Sequence, residues 1–254
     1  MPKLDMGKQH WFKTWWGISI LIVLYAFIVL ALAFVFLAWN YWRIVKSGQG
    51  AVLQKQFYSQ YSKPAPESAE VVAARQSLET KDDPYLGNAN AEWVIVEFLD
   101  FKCPICKAQA PVLQKLSAKY GYKIKIILRD FPMESVHPGA SQLAAIASCA
   151  HEQGAFWFFS DYFFANQDTL PAEIPAETID NLSDEVGIDK AIMRECLASG
   201  RGRIEESKDY ADAVKNGVNR GTPTYFINGL MVGAGGAAPM EFWEKLFINL
   251  RIVN

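Results

Sequence analysis

Histidine and cysteine are scarce in this chain, with three His and four Cys among 254 residues. Four cysteines are too few for a disulfide-stapled miniprotein or for two four-Cys zinc sites. The histidines, His10, His137 and His151, lie far apart and form no triad or metal set, so no catalysis is assigned to them. An excess of one charge is also missing: 25 Lys and Arg stand against 27 Asp and Glu, for a net charge of −2. So balanced a chain has little with which to neutralise phosphates, which argues against a nucleic-acid binder. Internal repeats and low-complexity tracts are absent. Charged residues make up 20% and hydrophobic residues 51%, which excludes a largely disordered chain. The glycine cluster Gly233-Ala234-Gly235-Gly236 lacks the context and spacing of a nucleotide loop and reads as a turn.

What the chain does have is one long apolar run. Trp15 to Trp39 reads WWGISILIVLYAFIVLALAFVFLAW, without a charge. At 1.5 Å per residue those positions span roughly 37 Å, enough to cross a bilayer core with some tilt. Trp11, Trp15 and Trp16 lie at one end and Trp39, Tyr41 and Trp42 at the other, as in an aromatic belt. Ala31-Leu32-Ala33 resembles a cleavage site, but the apolar run continues past it and is longer than the roughly 7–15 residues of a signal core. The expectation is a retained anchor: a tail over 1–14, a transmembrane helix over 15–39 in the lipid bilayer, and a juxtamembrane segment and linker over 40–81. Residues 40–62 can prolong the helix, and Lys63 to Glu70 (KPAPESAE) reads as the linker proper. Lys3, Lys8 and Lys13 with Asp5 before the span, against Arg43 and Lys46 after it, lean towards a cytoplasmic N-terminus.

The remaining domain is expected over 82–254, after a short helix at 71–80 and a turn-rich stretch at 82–92. Glu92 to Leu99 (EWVIVEFL) is apolar on both alternating sets, as in a central strand covered on both faces. Glu97 shares a side with Trp93, Ile95 and Leu99, and a carboxylate there needs a reason. Pro104 to Tyr120 reads as a helix with proline at its first position, although Pro111 falls inside it. Tyr122 to Leu128 is the next strand, and β–α–β order makes the two strands parallel. Residues 138–205 look helical throughout, followed by a helix over Lys208 to Gly217. Thr222 to Asn228 and Leu230 to Val232 form a hairpin about Gly229. The terminal helix, Pro239 to Val253, is expected to turn Phe242, Leu246 and Leu250 inward. The fold class is therefore α/β, a small domain interrupted by a helical block. Seven aromatics between Phe156 and Phe164 read mainly as helix core, with some available for an apolar groove that binds polypeptide.

Cys103-Pro104-Ile105-Cys106 sits between the buried strand and the helix. Cysteines at i and i+3 of a helix start are close enough to bond. At that place the unsatisfied N–H groups and the helix dipole favour a thiolate on Cys103. Cys106, one turn in, is shielded, so one sulfur forms a mixed disulfide and the other resolves it. A zinc half-site lacks two further ligands at suitable spacing, haem attachment lacks a histidine at Lys107, and inert buried thiols do not explain the strand-to-helix placement. Cys149 and Cys196 lie in the helical block. They read as a structural disulfide between two helices, a second redox pair, or two free thiols. An oxidised pair would place the domain outside the cytosol.

The segment from Glu97 through Phe98, Leu99, Asp100, Phe101 and Lys102 to Cys103-Pro104-Ile105-Cys106 resembles the active-site region of DsbA-like thiol–disulfide oxidoreductases, with a thioredoxin fold and an inserted helical domain. Gly221-Thr222-Pro223-Thr224 resembles their cis-proline loop. Phe131-Pro132, His137-Pro138 and Gln153-Gly154-Ala155-Phe156-Trp157 also look like this family, especially its membrane-anchored members. The resemblance covers about 82–254. It implies Cys103 as nucleophile, Cys106 as resolving thiol, and Glu97 as the buried acid that assists proton transfer at Cys106. It further implies a cis Pro223 that turns the Thr222 backbone towards bound peptide, with Pro104 and Ile105 completing the substrate contacts. The strong oxidant of the family has an imidazole between its cysteines, where Ile105 stands here, so a less acidic Cys103 is expected. Thr222 before Pro223 is found in isomerase-like relatives. The resulting expectation is a tethered, extracytoplasmic dithiol oxidase without metal or cofactor. Its partners would be reduced or misfolded secreted polypeptides and a membrane redox partner that recycles it. The alternatives are an extracytoplasmic reductase or isomerase, and a tethered peptide-binding chaperone.

Overall fold

The structure, a computed structural model, describes residues 15–46 and 69–253. The tail over 1–14, Trp11 with it, and the stretch 47–68 with most of the proline linker lie outside the described residues. The chain divides into two compact units, 1–62 and 63–254.

In the first unit, helix α1 spans Trp15–Lys46, running past the expected end at Trp39. Its 32 residues reach about 48 Å. Ser19–Leu37 has a mean hydropathy of 3.2, and none of it is buried by protein. A helix apolar all round and unburied is long and apolar enough to cross a membrane.

The second unit begins with α2 (Ala69–Leu78) and β1 (Tyr85–Gly87). Next come β2 (Trp93–Leu99), α3 (Pro104–Tyr120) and β3 (Ile124–Asp130). Five helices follow: α4 (Ala140–His151), α5 (Phe156–Asn166), α6 (Ala176–Val186), α7 (Lys190–Ser199) and α8 (Arg201–Lys215). The hairpin β4 (Thr224–Ile227) and β5 (Leu230–Ala234) and the helix α9 (Met240–Asn249) complete it. The sheet order is β1-β3-β2-β4-β5, with β2 and β3 parallel and the other pairs antiparallel. This is a thioredoxin-like sheet with a helical insertion between β3 and β4.

Val94, Val96 and Phe98 of β2 pack with Leu78, Ile127, Ala213 and Phe226 on one face. On the other face Glu97 stands beside Leu128 and Tyr225 in register, and Tyr225 meets Trp243 of α9 ring to ring at 5.1 Å. In the insertion, Cys149 of α4 is bonded to Cys196 of α7. Helix α8 crosses α4 at Gly202, where a Cβ would run into the Ala145 carbonyl and come 3.0 Å from Cys149 Sγ.

Several boundaries differ from expectation, each for a packing reason. Helix α2, expected within the linker ahead of the domain, packs onto it, because Leu78 is fully buried in the core and Ser77 O accepts from Arg129 at 2.5 Å. β1 lies within the turn-rich stretch and pairs with β3. β3 runs on to Asp130 instead of ending at Leu128. Its last residues are charged yet buried, because Arg129 pairs with Asp83 at 3.0 Å, Asp209 at 2.5 Å and Asp212 at 2.9 Å. The helical block does not end at 205, since α8 is continuous through the expected break. β4 starts at Thr224, two residues later than expected. On α9 the inner residues are Trp243, Leu246 and Phe247, and Phe242 and Leu250 are only partly covered. The large Trp243 takes the place against Tyr225.

Candidate active site

The chain leaves β2 at Leu99 and enters α3 at Pro104, so four residues make the turn that carries Cys103. Cys103 is the N-cap of α3, with φ −77° and ψ 121°, and Pro104 starts the helix without wasting a hydrogen bond. Cys103 N donates to Asp100 O at 3.0 Å, and Lys107 N donates to Cys103 O at 3.1 Å. Both thiols are free; Cys103 is 4% and Cys106 1% exposed. Pro104 and Ile105 lie exposed beside them. From across the sheet, Thr222 O lies 3.4 Å from Cys103 Sγ and accepts from it. The Thr222–Pro223 peptide bond is cis. The structure thus brings Cys103, Cys106, Pro104, Ile105, Thr222 and Pro223 into one locality.

The two sulfurs differ sharply. The Cys103 thiol is lowered to about 5, first by the hydrogen bond from the Cys106 thiol, then by the Thr222 side chain and the N–H groups of Cys106 and Ile105, against the opposing effect of burial. Among helix-cap thiols this lies between roughly 7 for thioredoxin and 3.5 for DsbA. An acidic thiol without a neighbouring imidazole is therefore built chiefly from the Cys106 thiol and Thr222, with the N–H groups of the helix start adding to them. Cys106 is pushed well above the usual thiol range, first by burial, then by its bond to Cys103 and by Glu97.

Glu97 is 3% exposed on β2. Burial pushes its carboxyl up to about 8; the Tyr225 hydroxyl pulls the other way and Cys103 adds to the rise. A cavity of about 20 Å³ is lined by both Glu97 and Cys106 and reaches Gln114, Ser160 and Asp161. That is room for about one water. A carboxyl that is mostly protonated near neutral pH can give a proton to a departing Cys106 thiolate and be reloaded from solvent.

Three residues around the turn were not found by sequence reasoning. Asp100, 1% exposed, accepts from Lys102 N at 2.7 Å and Met133 N at 2.9 Å, and His137 Nδ1 lies 2.7 Å from it. An Asp directly after a buried strand is a turn signal that could have flagged it. His137, left without a role from the sequence, belongs to this bracket. Gln167 of the insertion donates to two carbonyls of the turn, and nothing in the sequence around it marks it out. Away from the site, Asp83, Glu205 and Asp209 bring carboxylate oxygens within 4.8 Å of one another, the described group best suited to a cation. Arg129 already neutralises two of the three.

A paired, unequally acidic dithiol at a helix start, on a thioredoxin-like sheet with a helical insertion, is equipped for thiol–disulfide exchange. The family model described as thioredoxin matches residues 79–243, and the chain belongs to that family. The thiol-disulfide exchange protein α-DsbA2 from Wolbachia pipientis is similar in fold, at 22% identity and a TM-score of 0.59, over 72% of this chain and 94% of that one. DsbA2 from Pseudomonas aeruginosa is 26% identical, with a TM-score of 0.52, over 64% of this chain and 91% of that one. A curated relative, the Na(+)/H(+) antiporter NhaA 3 of Salinispora tropica, is 37% identical over 149 residues, 58% of this chain and 22% of that protein. The match thus covers under a quarter of that relative's length.

Proposed function

We propose that the chain is a membrane-tethered, extracytoplasmic dithiol oxidase that passes its Cys103–Cys106 disulfide to reduced or misfolded secreted polypeptides. The observation that carries this reading is the placement of Cys103 at the N-cap of α3, with Thr222 O 3.4 Å from its sulfur and Cys106 buried one turn in, a setting that lowers Cys103 to about 5 while Cys106 holds its proton. A stabilised Cys103 thiolate favours the reduced enzyme and so makes the disulfide oxidising.

In the forward reaction a substrate thiolate attacks Cys103 Sγ and breaks the Cys103–Cys106 bond. Cys106 leaves as a thiolate and takes a proton, with Glu97 as the donor. The substrate's second thiolate then attacks the substrate sulfur of the mixed disulfide. Cys103 departs as the stable thiolate, a good leaving group because it is acidic. The substrate dithiol has lost two electrons and the enzyme has gained them. Recycling passes the two electrons on to a membrane redox partner, which re-forms the Cys103–Cys106 bond. Thr222 and Pro223, with Pro104 and Ile105, form the surface against which the substrate strand lies.

The proposed organisation is a tail over 1–14, an anchor over 15–39, a linker, and a catalytic domain. The apolar α1 supports the anchor, and the charge bias supports a cytoplasmic N-terminus. The Cys149–Cys196 bond supports an oxidising, periplasmic or extracellular compartment for the domain. The test uses full chain in detergent with a reduced dithiol peptide. Cys103→Ala is expected to abolish peptide oxidation while the circular dichroism spectrum is unchanged. Undiminished oxidation in that variant would remove Cys103 from the mechanism. Wild-type protein that suppresses aggregation but never oxidises the peptide would favour the chaperone.

A further inference from the structure

The turn that carries Cys103 is gripped from the insertion side by the segment that follows α5. Gln167, 7% exposed at the end of that helix, donates from Nε2 to Phe101 O at 2.8 Å and to Cys103 O at 3.0 Å. Lys102 Nζ donates to Leu170 O at 2.9 Å and Pro171 O at 2.8 Å. Lys107 Nζ pairs with Asp168 at 2.7 Å. Of these, only Gln167 bonds to the nucleophilic residue itself. Its single amide group fixes two carbonyls on either side of Lys102, and with them the peptide planes entering the helix.

We propose that Gln167 is a positioning residue for Cys103: its amide holds the Phe101 and Cys103 carbonyls so that the first turn of α3 presents its N–H groups to the sulfur, and through it the helical insertion sets the reactivity of the Cys103–Cys106 couple. This inference rests on the reading of Cys103 as nucleophile. The amide is separable from the packing that surrounds it. Phe101 lies 5.4 Å from Phe163 and 5.3 Å from Phe164, centroid to centroid, so apolar contact holds α5 against the turn independently of Gln167. Without the amide the turn relaxes, the Ile105 and Cys106 N–H groups lose their aim, and the thiolate loses part of its stabilisation.

The test compares Gln167→Met and Gln167→Ala with wild type as full chain in detergent. Methionine keeps most of the volume without donor or charge, whereas alanine loses both volume and donor. Three quantities are read: the pH titration of Cys103 by thiolate absorbance, the equilibrium with glutathione, and thermal stability. In both variants Cys103 should titrate at higher pH. The glutathione equilibrium should move about tenfold towards the disulfide, which is about 30 mV for a two-electron couple. Stability should fall further for alanine than for methionine. Wild-type titration and equilibrium in either folded variant, with only stability changed, would overturn the proposal and leave Gln167 a packing residue. A wild-type protein with no glutathione couple would instead overturn the oxidase reading, a result separate from the variant comparison.

Discussion

Replacing Glu97 with Gln should make the protein more stable, and increasingly so as pH rises. Burial lifts this carboxyl from an ordinary 4.5 to about 8. A raised carboxyl means that the folded state holds its proton more tightly than the unfolded chain. Stability from this group is greatest below pH 4.5 and falls as pH rises towards 8, by about 1.4 kcal/mol per pH unit. Between pH 5 and pH 8 wild type should therefore lose about 3 kcal/mol more than Glu97→Gln. Glutamine keeps the shape of the side chain and a polar group for Tyr225, so packing differs little. The assay is urea unfolding of the full chain in detergent at both pH values, active-site thiols reduced, followed by circular dichroism. Parallel loss of stability in the two proteins would refute the reasoning, because Glu97 would then titrate like an exposed acid. The same variant should slow peptide oxidation by about 10²-fold or more if Glu97 is the proton donor for Cys106.

Other perturbations separate the remaining parts of the account. Cys106→Ala removes the principal donor to the Cys103 sulfur. Cys103 should then titrate above about 5, and mixed disulfides should accumulate on non-reducing gels because no resolving thiol remains. Arg129→Met leaves Asp83 and Asp209 buried without their cation and should cost about 3–5 kcal/mol in urea unfolding at neutral pH. Loss of the Cys149–Cys196 bond, which closes a separation of 47 residues, in a Cys149→Ala, Cys196→Ala double variant should lower stability by roughly 4 kcal/mol. The Cys103 titration should be unmoved.

The turn that carries Cys103 was legible because its signals are local. An apolar run ends, a CxxC follows, and proline stands where a helix begins, so α3 is found from Pro104 to Tyr120 as expected. Residues whose meaning depends on distant partners were misread. Arg129 and Asp130 fall outside the strand expected to end at Leu128, yet they continue β3 because Asp209, about 80 positions on, comes back to meet them. Leu78 read as part of a short linker helix, since nothing nearby reveals that it fills the core under β2 and β4. Gln167 stands 64 positions from Cys103, and a glutamine at a helix end has many uses. Glu97 was conspicuous for the opposite reason: a lone acid on an apolar strand face violates a local rule, and such violations concentrate at functional sites.

The central claim is that the Cys103–Cys106 couple donates disulfides, and its most direct test is the reduction potential of the full chain in glutathione buffers. With the Cys103 thiol lowered to about 5, the account predicts a reversible two-electron couple whose potential lies above the roughly −270 mV of thioredoxin, on the side of the roughly −120 mV of DsbA. A potential at or below that of thioredoxin, or no reversible couple, would contradict it.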